Sequence, residues 1–167
     1  NEYVAEHLRG KKGTKVLLGI KRGKSDELIE FEVVRDKIPL NSIDAAFMLD
    51  KNIGYIKLDR FAQTSMTEFE ESLAKLKAQK MKSLVLDLRG NTGGYLNIAV
   101  DLSNQFLKND MTIVYTEGDK SPKQIFKTDR NGKFTDGKLV VLIDEGSASA
   151  SEIVSGAIQD WDRGVLI

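Results

Sequence analysis

The sequence has no cysteine and a single histidine among its 167 residues. The lack of cysteine excludes disulfides, a thiol nucleophile and thiolate metal sites. One histidine excludes a metal site built from several histidines, and the carboxylates have no spacing typical of a metal-binding motif. We therefore expect neither a metal ion nor another cofactor.

Net charge is also lacking, because 25 basic and 25 acidic side chains cancel. A surface for nucleic acid or for an anionic membrane would require a basic excess, so we expect neither partner. The sequence has no apolar run of about 18 residues and no charged-then-apolar start, which predicts neither a membrane span nor a signal peptide within it. Its 41% hydrophobic content is enough for a sizeable core.

The pattern changes near residue 40. Residues 1–36 predict a short helix and then a β-hairpin, in which TKVLLGIKR and DELIEFEVVR alternate around Gly23-Lys24-Ser25. Residues 37–52 contain Ile38-Pro39 and predict an extended connector, because proline disfavours helix before it and cannot donate to a sheet. Since the first residues already read as the middle of a helix, we expect the sequence to be part of a longer protein.

Residues 53–167 alternate between strand and helix patterns, which predicts an α/β layered core. Helices are expected at about 66–79 and 96–107, each with an apolar stripe, and again after Ser149. Strands are expected at 53–58, 83–88, 112–116, 139–143 and 164–167, with a β excursion around QIFKT. The continuous apolar run 139–143 is typical of a strand buried on both faces.

The stretch 139–160 delivers three serines to the start of a helix: Ser147, Ser149 and Ser151. Any of them could cap the helix, since a hydroxyl there accepts from an unpaired backbone N–H. The same geometry suits a nucleophile, because N–H groups beside the attacking oxygen stabilise an oxyanion. Spacing alone leaves both interpretations open.

A second loop, RGNTGG at 89–94, also joins a strand to a helix. It could be a tight turn that uses glycine for positive φ. A phosphate cradle is disfavoured because the spacings G-x-G-x-x-G and G-x-x-x-x-G-K-[ST] are both absent. The third possibility is an oxyanion hole built from exposed glycine N–H groups.

GSASASEIVSGAIQD and LVLDLRGNTGG resemble, in the same order, the two active-site segments of the carboxyl-terminal processing, or tail-specific, serine peptidases of family S41. The helix followed by GxKGTKVxLxIxR resembles the last third of a PDZ domain of these peptidases. The resemblance implies a core related to the ClpP and crotonase fold, here incomplete. It also implies Ser149 as the nucleophile and the N–H groups of Gly94 and Ala150 as the oxyanion hole.

The family activates its serine with a lysine on the strand after the helix, a position that falls beyond Ile167. We therefore expect the chain alone to be inactive. His7 reads as a surface histidine in the neighbouring domain. Lys133 and Lys138 are expected to stay protonated in solvent, and Asp144 and Glu145 to have at best a supporting role.

The resemblance implies cleavage of polypeptides, in their C-terminal regions, through an acyl-enzyme and a Ser-Lys dyad. Two alternatives remain open: a non-catalytic protein-binding module on the same fold, and an acyl-CoA enzyme that would bind coenzyme A at loop 89–94. Relatives are mostly exported, which implies a periplasmic or cell-envelope location. An open sheet edge could also pair with another copy of the chain.

Overall fold

The structure, a computed structural model, describes residues 2–23, 27–36 and 40–167, with side chains from residue 4 onward in those ranges. It divides into two compact units, Asn1–Leu40 and Asn41–Ile167. Part of the predicted turn, residues 24–25, and residues 37–39 of the predicted connector lie outside the described residues.

The first unit contains the predicted helix and hairpin. Helix α1 is Glu2–Leu8, and strands β1, Lys15–Lys21, and β2, Leu28–Val34, pair antiparallel. Arg35 joins helix to hairpin, because its guanidinium donates to the carbonyl oxygens of Leu8 at 2.7 Å and Lys15 at 3.0 Å.

The second unit is an α/β layered core, as predicted. Its elements are β3 Ile43–Asp50, β4 Ile53–Leu58, α2 Ser65–Ala78, β5 Ser83–Asp87, α3 Leu96–Asn104, β6 Thr112–Gly118, β7 Ser121–Lys127, β8 Lys138–Leu142, α4 Ala150–Asp160 and β9 Val165–Leu166. A five-stranded sheet has the order β3-β4-β5-β8-β9, in which only the β3–β4 pair is antiparallel, while β6 and β7 form a separate hairpin.

Strand β3 corrects the predicted connector 37–52, because half of the connector, Ile43–Asp50, belongs to the core sheet. Its side chains are exposed or half-buried throughout, so the stretch IDAAFMLD lacks the alternation by which a strand is recognised. Pairing with β4 and the carboxylate of Glu68 hold it in place. That carboxylate accepts the N–H groups of Ser42 at 2.7 Å and Ile43 at 3.0 Å.

The three central strands of the sheet, β4, β5 and β8, bury one face completely and the other only in part. Ile56, Leu86 and Val141 are fully buried on the first face. Tyr55 and Val140, on the opposite face, are half-buried. The prediction that strand 139–143 is buried on both faces is therefore wrong, because Val140 and Leu142 are only half-buried on the second face.

The helices pack their apolar stripes into the same core as the buried sheet face. Phe69 of α2 meets Phe106 edge to face, with ring centroids 5.8 Å apart. Thr64 is the N-cap residue of α2 but makes no side-chain capping hydrogen bond, and α3 ends at Asn104, a few residues earlier than its sequence pattern indicates. Within the described ranges, no helix is long and apolar enough to span a membrane.

Candidate active site

The two serine- and glycine-rich segments lie at the same edge of the sheet. Strands β5 and β8 are parallel neighbours, with Asp87 opposite Leu142, so their carboxyl ends meet. Loop 89–94 leaves the end of β5 and turn 143–149 leaves the end of β8. Ligand sites of open α/β sheets lie at the carboxyl ends of the strands, so this edge is a candidate active site.

Ser149 occupies a strained position at this edge. It is the N-cap residue of α4, with φ of 56° and ψ of −111°, a backbone conformation that is unfavourable for any residue with a Cβ. The N–H of Ser149 donates to the carboxylate of Glu152 at 2.6 Å, which completes a capping box. Such strain costs about 1–3 kcal/mol and is concentrated at functional sites.

The three serines have different roles. The Ser147 hydroxyl donates to the carbonyl of Leu88 at 2.8 Å and accepts the N–H of Asp144 at 3.0 Å. The Ser151 hydroxyl is fully buried and donates to the carbonyl of Asn91 at 2.8 Å. Ser149 is exposed on the strained turn, so it is the serine that a substrate can reach.

Loop 89–94 packs directly against this turn. Gly93 has φ of 103°, and a Cβ there would lie 2.9 Å from Cβ of Ser149 and 3.0 Å from the Ala150 nitrogen. Gly94 has φ of 148°, and its Cβ would collide with the carbonyl oxygen of Phe61. Glycine is therefore required at both positions, by conformation and by space.

The N–H groups of Gly94 and Ala150 remain available. Among the described residues, neither donates to a backbone or side-chain acceptor. Gly94 is exposed, while Ala150 is the first residue of α4, where N–H groups point out of the helix end. Two unpaired donors beside an exposed serine are the parts that an oxyanion hole requires.

Asn91 holds these parts together, a role that the sequence analysis missed. Its side chain is fully buried, donates to the carbonyl of Leu58 at 2.8 Å and accepts the N–H of Gly93 at 2.9 Å. Its own carbonyl accepts the N–H of Ala148 at 3.1 Å and the Ser151 hydroxyl. A buried asparagine with both side-chain ends paired joins β4, the loop and the serine turn. The sequence feature that could have indicated this role is the polar side chain of Asn91 within a glycine-rich turn.

Asp87, Arg89 and Tyr55 form a second supporting group, also missed. Asp87 is fully buried, and the Arg89 guanidinium donates to both of its oxygens, the shortest contact being 2.6 Å. The Tyr55 hydroxyl donates to it at 2.6 Å. Burial acts to raise the pKa of Asp87, but the hydrogen bonds from Arg89 and Tyr55 outweigh it and hold the pKa at about 2.

Three of the side chains considered as a replacement base, Asp144, Lys133 and Lys138, are poor candidates. Hydrogen bonds from the N–H groups of Gly90 and Gly146 lower the pKa of the Asp144 carboxylate, which makes it a poor base. Lys133 pairs with Glu70 at 2.8 Å. Lys138 begins β8, whereas Ser149 follows the other end of that strand, about 13 Å away along the strand alone. His7 lies in α1 of the first unit.

Loop 89–94 offers little to a phosphate. The N–H of Gly90 already donates to Asp144 at 2.8 Å, and that of Gly93 donates to the side chain of Asn91. This geometry disfavours the alternative of coenzyme A at the loop. Among the described residues, no cluster of three or more histidine, cysteine, aspartate or glutamate side chains could hold a metal ion.

A cavity of about 700 Å³ opens beside Ser149 and follows α4. One wall is the β6 segment 112–115, and the other is the exposed side of α4 together with Trp161. The Trp161 indole N–H donates to the carbonyl of Thr112 at 2.8 Å, which fixes the far end of the cavity. Gly156 leaves its floor open, because a Cβ there would meet no atom within 4 Å.

Comparison with known proteins places this arrangement in a family. Residues 52–167 match the sequence pattern of peptidase family S41. The chain belongs to this family. Membership agrees with the resemblance of the glycine-rich loop and the serine turn to the active-site segments of this family. Both segments lie within the matched residues and meet at the exposed Ser149.

Proteins similar in sequence to this S41 family member include carboxyl-terminal-processing peptidases. It is 37% identical over its whole length to carboxyl-terminal-processing peptidase 3, chloroplastic, of Arabidopsis thaliana, covering 34% of that protein. It is 38% identical, over 99% of its length, to the carboxyl-terminal-processing protease of Picosynechococcus sp., covering 40% of it. It is 36% identical over its whole length to the carboxy-terminal processing protease CtpA of Bacillus subtilis, covering 35%.

The fold is also found among solved S41 structures. The photosystem II D1 C-terminal processing protease aligns with a TM-score of 0.67 at 24% identity, over 98% of this chain and 46% of that one. An S41 protease from Bacteroides fragilis aligns over 91% of this chain and 45% of that one, with a TM-score of 0.65. The chain thus spans 34–40% of the length of these three relatives and a little under half of these two structures.

Proposed function

We propose that the chain is the nucleophile-bearing part of a serine endopeptidase that cleaves polypeptides in their C-terminal regions. The observation that carries this proposal is the exposed Ser149, held at φ of 56° and ψ of −111° at the start of α4. A sharp strand-to-helix turn of this kind presents a serine oxygen to a substrate. Family membership and the names of the relatives support the substrate class.

The proposed reaction has two halves. The Ser149 oxygen attacks the scissile carbonyl carbon while its proton passes to a neutral lysine amine, and the carbonyl oxygen becomes an oxyanion. The N–H groups of Gly94 and Ala150 donate to that oxyanion. Collapse breaks the peptide bond, and the departing amine takes the proton from the lysine. Water then attacks the resulting ester by the same route and releases the second product.

The lysine is proposed to lie in residues that follow Ile167, on the strand after α4. The aligned part makes up 34–40% of the relatives' own chains, so most of each relative lies outside it. Residues 1–167 alone would then bind substrate without cleaving it, because a serine hydroxyl is a weak nucleophile without a base. The cavity along α4 is proposed to hold the substrate chain, since it opens at Ser149 and offers apolar walls.

The first unit is proposed to be the C-terminal portion, residues 1–36, of a PDZ domain. A helix followed by an antiparallel hairpin supports this proposal. In PDZ domains, a peptide C-terminus adds as a strand beside such a helix. We also propose an extracytoplasmic location for the enzyme, in line with the exported relatives that the sequence resembles.

Proteolysis by a protein that continues past Ile167 tests the proposed function. The wild type should cleave an unstructured polypeptide, and Ser149→Ala should lower the rate by about 1,000-fold or more. Replacement of the expected downstream lysine should have the same effect. The control Ser121→Ala removes an exposed hydroxyl from β7 and should leave the rate unchanged. Full activity in Ser149→Ala would refute the assignment.

A further inference from the structure

A second depression borders the same loop and has a different character. Its volume is about 550 Å³, and it lies at the carboxyl ends of β4 and β5. Three of its six lining residues are basic and one is acidic. They are Lys57, Asp59, Arg60, Arg89, Gly90 and Thr92.

Two of the three cations already have acidic partners. The Arg89 guanidinium donates hydrogen bonds to both carboxylate oxygens of the buried Asp87. Lys57 lies 3.8 Å from the carboxylate of Asp59, and its ammonium also approaches the carbonyl of Arg89 at 3.5 Å. The guanidinium of Arg60 is exposed and, among the described residues, makes no hydrogen bond or ion pair. Arg60 therefore presents a planar fork of N–H donors that no carboxylate of the described residues contacts.

The backbone of Arg60 is fixed to the loop that carries the candidate oxyanion donor. Its neighbour Phe61 donates its N–H to the carbonyl of Gly93 at 3.0 Å and accepts the N–H of Tyr95 at 2.9 Å. The carbonyl of Arg60 accepts the hydroxyl of Ser65 at 3.1 Å. The free guanidinium thus extends from a rigid segment that is hydrogen-bonded to both sides of Gly94.

We propose that Arg60, supported by Lys57, binds a carboxylate of the polypeptide substrate and so sets where the chain lies relative to Ser149. A guanidinium matches a carboxylate through two parallel hydrogen bonds, which a lysine cannot reproduce. A single unpaired guanidinium with the carboxylates of Asp59 and Asp144 nearby suits one carboxylate better than a doubly charged phosphate. This carboxylate is either the C-terminus of the substrate or one of the substrate's acidic side chains. This inference rests on the proposed function for its ligand class.

Binding to the 167-residue chain tests the site without requiring activity. Four acetylated alanine tetrapeptides are titrated into the isotope-labelled chain at low ionic strength, and amide shifts of residues 89–94 are followed by NMR. Two peptides differ only in a free or amidated C-terminus. The other two are amidated and carry glutamate or glutamine at the third position. At least one acid should bind about fivefold more tightly than its amide, the strength of a good exposed ion pair.

Variants then assign the preference to Arg60. Arg60→Gln should reduce the ratio of acid-peptide affinity to amide-peptide affinity to about one. Arg60→Lys should retain only part of the preference, because lysine keeps the positive charge but lacks the planar pair of N–H donors. The control Arg130→Gln removes an exposed arginine that lines a different depression and should keep the ratio. Added salt should reduce the preference as well. Which acid binds identifies the source of the carboxylate.

Equal binding of acids and amides, or a preference that survives in Arg60→Gln, would overturn the inference. Failure of the proposed function is a separate result. If the longer protein cleaves no polypeptide while the isolated chain still prefers acids through Arg60, the peptidase mechanism is refuted and the carboxylate site stands. If cleavage proceeds but KM is the same for acid and amide substrates, the mechanism stands and the carboxylate site is refuted.

Discussion

Replacing Asp87 by asparagine should make the stability of the chain less sensitive to acid. Asp87 is fully buried beneath Arg89 and Tyr55, and its pKa is held at about 2, against an ordinary value of 3.8. A pKa lowered by this much corresponds to about 2 kcal/mol of folding free energy. Because the folded pKa is the lower one, this stabilisation is present above about pH 4 and is lost as the pH falls toward 2.

The assay is urea unfolding of the wild type and Asp87→Asn at a series of pH values. At neutral pH the variant should be less stable by about 2 kcal/mol, and the difference should shrink toward zero as the pH falls from about 4 to about 2. The matched control is Asp110→Asn, whose side chain is 76% exposed and pairs with Lys127 on the surface. It should cost less than about 1 kcal/mol. A difference for Asp87→Asn that stays constant from neutral pH to pH 2 would refute the reasoning.

Three further substitutions test the geometry at the sheet edge, each by urea unfolding of the 167-residue chain. Ser149→Gly should be about 1 kcal/mol more stable than Ser149→Ala, because glycine relieves the strain at φ of 56°; equal stabilities would mean that the turn is unstrained. Gly93→Ala should cost about 2 kcal/mol or more, since its Cβ would lie 2.8 Å from the Ala148 oxygen, whereas Gly90→Ala, with positive φ but open space, should cost about 1 kcal/mol; similar costs would contradict the packing. Gly156→Ala should stabilise α4 by about 1 kcal/mol and extend a methyl group into the cavity; destabilisation would show that the space is occupied.

Local sequence patterns carried most of the element assignments. The helices and strands of the core lie where apolar spacing predicts them, because burial of one stripe or face imposes that spacing. Strand β3 was not predicted, because its side chains are largely exposed and it is held by hydrogen bonds from its neighbours. Strand β8 is buried on one face only, although its continuous apolar run is typical of two buried faces.

The candidate site divides in a similar way. The sequence by itself determined that a serine-rich turn and a glycine-rich loop each join a strand to a helix, and resemblance assigned Ser149, Gly94 and Ala150. Only the tertiary structure decided that the two segments touch, because their strands, more than 50 residues apart, are neighbours in the sheet. It also decided the strained φ of Ser149 and the roles of Asn91 and Asp87. Those depend on contacts between residues distant in the chain, which local spacing does not encode.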